Sequence, residues 1–277
     1  MKATKILESL TKTVTVLTVC AAVEGGAGAR AALIAYESFD YTADANLANQ
    51  GSSGDDGWAD GWTDSGSVTS PGVDYTDSNS DSLVVAGNKA NLAGTSKSAT
   101  AFRDFESALT PTADNPIWIS LIMESNTSNS RFFALSLIDS DGKVASSIGT
   151  DDTSDQQWRL SGGDPLAADV VTGSDAQNKA FLMAKYTATG SELFVNPDLD
   201  AEPTTADVSI SFTSIAAFDR VRLFAGDDNN NPADADFDEI RIGDSFSDVA
   251  TPIPEPTSFA LLVLGGLALL KRRPRRA

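Results

Sequence analysis

From residue 32 to residue 250 the chain is a succession of short apolar runs separated by turn-forming residues, with almost no helical periodicity. The runs fall at 33–39 (LIAYESF), 82–86, 117–123 (IWISLIM), 132–138 (FFALSLI), 157–160, 180–186 (AFLMAKY), 192–195, 208–212, 220–224 and 237–242. Each has the length of a strand rather than of a helix. Asp141-Gly142 and Thr189-Gly190 stand between neighbouring runs and supply hairpin chemistry. Many short strands at fairly regular spacing predict an all-β fold, a two-sheet antiparallel β-sandwich or jelly roll. About 220 residues suit one such domain.

Two segments break the pattern. Residues 51–79 are polar and Gly-rich, with Trp58 and Trp62 embedded. They read as a long surface loop pinned by its tryptophans. Residues 226–235 (GDDNNNPADA) read as an acidic, turn-rich loop.

The two ends differ from the body. Lys2, Lys5 and Lys12 precede an apolar stretch at 14–23, and small residues follow at 24–31. This is the layout of a secretion signal in helical form, cleaved after Ala31 or after Ala29. The far end reads Pro252-Ile253-Pro254-Glu255-Pro256, then an uncharged run at 257–270, then Lys271, Arg272, Arg273, Arg275 and Arg276. The prolines mark a stiff extended linker. As a helix the uncharged run would be about 21 Å long at 1.5 Å per residue. The hydrocarbon core of a bilayer is about 30 Å thick. The expected element is therefore a short transmembrane helix, with the basic cluster left on the cytoplasmic side. The organisation expected is a signal at 1–31, a body at 32–250 and a tail at 251–277.

Composition excludes several chemistries. The chain has no histidine, so nucleophile systems that depend on a histidine base are ruled out. Its single cysteine, Cys20, lies in the signal, and the mature body would carry neither disulfide nor thiol. Between residues 32 and 254 there are 11 basic and 36 acidic residues, a net charge of −25. Such a surface repels nucleic acid and anionic lipid.

The Pro254-Glu255-Pro256 motif, the apolar run with Gly265-Gly266 and the terminal arginines together resemble the PEP-CTERM sorting signal of Gram-negative bacteria. The resemblance implies recognition by an exosortase and cleavage near the motif. The inner membrane would be a transient stop before the cell surface or the extracellular, polysaccharide-rich biofilm matrix. An ordinary single-span anchor is the competing reading. In the body, the residues Tyr36-Glu37-Ser38-Phe39-Asp40-Tyr41, the Gly57-Trp58/Gly61-Trp62 pair, 193–197 (LFVNP) and the closing 237–243 (FDEIRIG) resemble the concanavalin A-like (laminin G-like) jelly-roll domains. This implies two packed antiparallel sheets with the first and last strands adjacent.

Candidate sites are few. Glycosidases of that superfamily carry paired carboxylates on one strand, where alternation sets them on one sheet face. No such spacing occurs here, and adjacent Asp238 and Glu239 are expected on opposite faces. The chain is accordingly expected not to be an enzyme. Asp234, Asp236 and Asp238 alternate and should share a face; with Glu37 or Asp40 from the first strand they form a candidate Ca²⁺ set, against a merely solvated edge. Trp58 and Trp62 are the candidate glycan-stacking residues, against simple anchoring of their loop. Three functional readings stay open. The first is a non-catalytic exported surface or matrix protein that binds glycan or calcium. The second is a glycoside hydrolase or lyase of the same fold. The third is a purely structural module.

Overall fold

The computed structural model describes residues 33–250, apart from 53–55, 84, 95–97, 128–131, 151–156, 163–168, 171–172, 213 and 229–230. Ala29 and Ala31, Pro254, Glu255 and Pro256, and Lys271, Arg272, Arg273, Arg275 and Arg276 lie outside the described residues, as do both expected terminal helices. Within 33–250 the expected architecture stands: two antiparallel sheets packed as a sandwich.

The first sheet runs, in spatial order, β13 (Val208–Ser211), β12 (Gly190–Val195), β11 (Ala180–Thr187), β6 (Ile117–Ser125), β17 (Asp234–Gly243), β4 (Lys89–Ala93) and β3 (Ser67–Thr69). β1 (Leu33–Glu37) also pairs with β17, so the first and last strands are neighbours, in the register Tyr36 to Arg241 and Glu37 to Ile240. The second sheet runs β10 (Asp169–Val170), β9 (Arg159–Ser161), β8 (Val144–Gly149), β7 (Phe133–Ile138), β14 (Phe218–Ala225), β5 (Ala99–Leu109) and β2 (Thr63–Asp64). The 226–235 segment is a small hairpin of β15 (Asp227–Asp228) and β16 (Asn231–Pro232) that leads into β17. At the β7–β8 turn Gly142 takes a φ of +76°, a backbone setting that favours glycine.

The sheets face each other across one apolar core. Alternate residues supply it: Leu135 and Leu137 from β7, Val221 and Leu223 from β14, Ile119 and Leu121 from β6, Leu182 and Ala184 from β11, and Phe237, Ile240 and Ile242 from β17. Burying one side chain of this size is worth about 1.5–3 kcal/mol.

A second apolar cluster lies on the outer side of the first sheet. Trp118 and Ile122 of β6, Phe181 and Met183 of β11 and Phe194 of β12 alternate with the core residues and so point the other way. They are covered by Val73, Tyr75 and Leu83 of a strap at 71–87, by Leu199, and by Phe246, Val249 and Ala250 of a short helix, α1 (Phe246–Ala250). This explains why β6 and β11 read as unbroken apolar runs. Both of their faces are dry.

Among the described residues of the run at 82–86 no strand is formed. The run belongs to the strap, and Leu83 is apolar because it seals this outer cluster. Conversely β5, the longest strand, has no obvious apolar pattern. Its inward positions are Ala99, Ala101, Arg103 and Phe105, small or charged for the most part.

Candidate functional site

The two candidate glycan tryptophans are core residues. Trp58 and Trp62 are 0% and 1% exposed. The Trp58 indole N–H donates to the Tyr36 carbonyl at 2.8 Å, and its ring stacks on Phe105 at 5.1 Å. The Trp62 indole N–H donates to Glu37 Oε2 at 2.7 Å, and its ring stacks on Phe39. Neither ring offers a face to a sugar in this arrangement. Both hold their loop onto β1, which places them with the anchoring reading instead.

The candidate calcium residues are dispersed. Glu37 is buried and surrounded by donors: the Phe39 amide at 2.7 Å, the Tyr41 hydroxyl at 2.8 Å, Trp62 and the Arg103 guanidinium. Asp40 is exposed. Asp234 and Asp236 share the Asn91 amide at 2.7 and 2.9 Å, and Asp236 also pairs with Lys89 at 2.5 Å. Asp238 accepts the Val73 amide at 2.6 Å and the Glu239 amide at 2.8 Å. Among the described residues, no three carboxylates, cysteines or histidines converge as metal ligands. The alternation of the three aspartates is real, but all three are engaged by donors of the protein, Asp234 and Asp236 by the same Asn91 amide.

The expectation that Asp238 and Glu239 point to opposite faces is corrected. β17 shifts register between Asp238 and Arg241, and Glu239 has a φ of +52°. This bulge breaks the period of two. Glu239 accepts the Ala86 amide at 2.8 Å, the Tyr36 hydroxyl at 3.2 Å and Arg241 at 2.6 Å. Both acids therefore reach the strap, one near each end. Burial pushes the Asp238 carboxyl up to about 8 and also raises that of Glu239. Asp77 fixes the strap between them. It accepts the amides of Leu199, Asp81 and Asn79, and the Leu199 bond is the main reason its carboxyl is held below the usual range.

The outer face of the second sheet is built differently. Across β9, β8, β7, β14 and β5 the ladder aligns Ser161, Ser147, Ser136, Arg222 and Phe102 in one row. The next row is Arg159, Gly149, Ala134, Phe224 and Thr100. The middle positions are thus small. Above them lies a half-exposed layer of Arg159, Arg222, Phe102, Phe224 and Phe132. Arg222 donates to Ser136 Oγ at 3.1 Å and lies over the Phe224 ring, with 5.0 Å from its guanidinium carbon to the ring centroid. Phe132 and Phe224 pack 4.7 Å apart. Arg159 lines a recess with Phe132, Ala134, Ser147, Gly149, Thr150 and Ser161. Arg220, one step along β14, forms a two-point pair with Asp104 of β5 at 3.0 and 3.2 Å. Sequence reasoning passed over this face. The alternation Arg220, Arg222, Phe224 within 220–224 carried the signal, because the intervening Val221 and Leu223 are core residues.

No protein-family model and no curated protein matches the chain. Among solved structures it is similar to the T. cruzi calreticulin globular domain (TM-score 0.49, 10% identity, 86% of this chain and 98% of that one). It is also similar to an endo-β-1,4-glucuronan lyase from the fungus Trichoderma reesei (TM-score 0.44, 10% identity, 74% and 96%). A glycosyl hydrolase family protein from Mycobacterium fortuitum gives a TM-score of 0.43 at 13% identity over 76% and 99%. The expectation of a chain that is not an enzyme is corrected by this set. Several of the similar structures are named as lyases or hydrolases.

Proposed function

We propose that this chain is an exported, exosortase-sorted protein of the bacterial surface or extracellular matrix whose sandwich engages polysaccharide through the outer face of the second sheet. The sorting part is supported by the order of signal, Pro-Glu-Pro motif, apolar run and arginines along the sequence. The binding part is carried by one observation. Phe102, Phe132 and Phe224 stand half-exposed on outward positions of one face, interleaved with Arg159, Arg220 and Arg222. A solvated sheet face normally carries polar residues at such positions. Single exposed apolar residues need no explanation, but a contiguous group does. Aromatic and arginine side chains are also the types enriched where proteins bind partners. Aromatic faces suit the C–H surfaces of sugar rings.

Two measurements test the reading. An epitope-tagged chain expressed in a bacterium that has an exosortase should be recovered at the surface or in the matrix; recovery only from the cytoplasm overturns the sorting assignment. The purified protein should bind polysaccharide on an array, and Phe224→Ala should weaken that binding at least fivefold. The same samples should be assayed for new reducing ends and unsaturated products, since their appearance would make the face catalytic as well as binding. Absence of binding to any polysaccharide would leave the purely structural module as the better account.

A further inference from the structure

We infer that the polysaccharide taken by this face is acidic, with sugar carboxylates held by Arg222 and Arg159 and sugar rings packed on Phe224 and Phe132. The inference rests on the reading of this face as a polysaccharide site and specifies its ligand. Among the described residues, nine are basic, and three of these, Arg159, Arg220 and Arg222, stand on this one face. All three are arginines. A guanidinium is a planar fork that meets a carboxylate through two parallel hydrogen bonds, which a lysine ammonium does not do.

The strand ladder sets the geometry. Arg159 on β9 and Arg222 on β14 are separated by β8 and β7, three strand spacings or about 14 Å between backbones. The positions between them are Gly149, Ser147, Ala134 and Ser136. Ser136, Ser147 and Ala134 are at most 3% exposed, so a ligand meets the layer above them rather than this floor. A small floor is what lets long arginine side chains lie across the sheet. Arg222 does so, held by Ser136 on one side and by the Phe224 ring on the other. Ordering a long flexible side chain before the ligand arrives lowers the entropy lost on binding. A guanidinium carries five N–H donors, and the bond to Ser136 engages one of those of Arg222.

The body's net charge of −25 opposes an acidic ligand at long range. At physiological ionic strength that field is screened beyond about 8 Å, so the groups in contact decide the outcome. The Phe132–Phe224 pair lies beside Arg222, where it can take the apolar face of a sugar whose carboxylate the arginine holds.

The experiment compares polygalacturonate with fully methyl-esterified polygalacturonate, which keeps the backbone and removes the charge. Binding to the full-length protein is read by affinity electrophoresis and calorimetry. The expected result is at least tenfold tighter binding of the charged polymer, weakened by added salt, and at least a tenfold loss with R222A and with R159A. R222K keeps the positive charge and should still lose severalfold, which guards against a variant that merely misfolds. Phe224→Ala should weaken both polymers alike. Equal binding of the charged and esterified polymers would overturn the acidic assignment and leave the polysaccharide reading standing. Binding of a sulfated polymer that lacks carboxylates, such as dextran sulfate, but not of polygalacturonate would overturn the carboxylate assignment. No binding of any polymer, charged or neutral, would overturn the reading beneath both.

Discussion

The outer faces of the two sheets are made by the same device, strands that alternate inward and outward side chains, yet they end in opposite states. On the first sheet the outward residues are Trp118, Ile122, Phe181, Met183 and Phe194, and a strap, a loop and a short helix bury them. On the second sheet the outward residues are small ones under a half-exposed layer of arginine and phenylalanine. The first face is thereby converted into a second core, and its polar groups serve to close it. Asp238 and Glu239 fasten the strap, while Ser120 donates to the Val249 carbonyl at 2.9 Å and ties down the helix. Among the described residues, the second face has no such cover. Identical local geometry thus produces stability on one side and a candidate binding surface on the other, and what differs is whether later segments of chain return to cover it.

This contrast predicts that substitutions on the first face act on stability and those on the second on binding. The largest effect is expected for Trp118→Ala. The ring stacks on Phe194 at 5.9 Å and meets Phe246 edge-on. Its loss should cost about 3–5 kcal/mol in denaturant titration. A change under about 1 kcal/mol would break the idea that this face is a true second core. Arg241→Met should follow closely. Arg241 and Glu239 are both 0% exposed, and removing the cation strands a buried carboxylate, at a cost of about 3–5 kcal/mol. The double variant with Glu239→Gln should recover part of the loss.

Asp238 gives a pH-dependent version of the same contrast. Its carboxyl titrates near 8 in the folded protein, against an ordinary value of 3.8. Between those values the folded state binds more protons than the unfolded one, so stability must fall as pH rises from about 4 to 8. Asp238→Asn should flatten that slope. The protection of the Val73 amide, whose proton Asp238 accepts, should fall along it in the unaltered protein once the exchange rate is referred to the intrinsic hydroxide-catalysed rate. A slope unchanged by the substitution would sink this assignment. The smallest stability effect is expected on the second face. Arg222→Ala should change unfolding free energy by about 1 kcal/mol or less while removing most of the polysaccharide affinity. A large loss of stability there would erase the distinction between the two faces.

Much of the fold was legible because period-two patterning survives in sequence. The runs at 117–123, 132–138, 180–186 and 237–242 fall within or beside β6, β7, β11 and β17. β5 was not legible, because its inward positions include Arg103, which is buried through its pair with Glu37, its bond to the Asp60 carbonyl at 2.9 Å and the Trp58 ring, with 4.9 Å from the guanidinium carbon to the ring centroid. The candidate site was less legible still. Tryptophans in a polar loop look like binding residues until their burial is known. The sharing of one face by Asp238 and Glu239 depends on a bulge that no spacing rule anticipates.

Alternation of side chains is a local property of an extended chain, and so the all-β class and most strand positions follow from the order of residues alone. So does the exclusion of histidine and cysteine chemistry from the body. Which outward face is dry and which is available is a different kind of fact. It depends on where residues 71–87, 197–206 and 246–250 return after many intervening strands, and such long-range packing leaves no periodic trace. The tertiary structure alone buried Trp58 and Trp62 and set Arg222 across Ser136 beside Phe224.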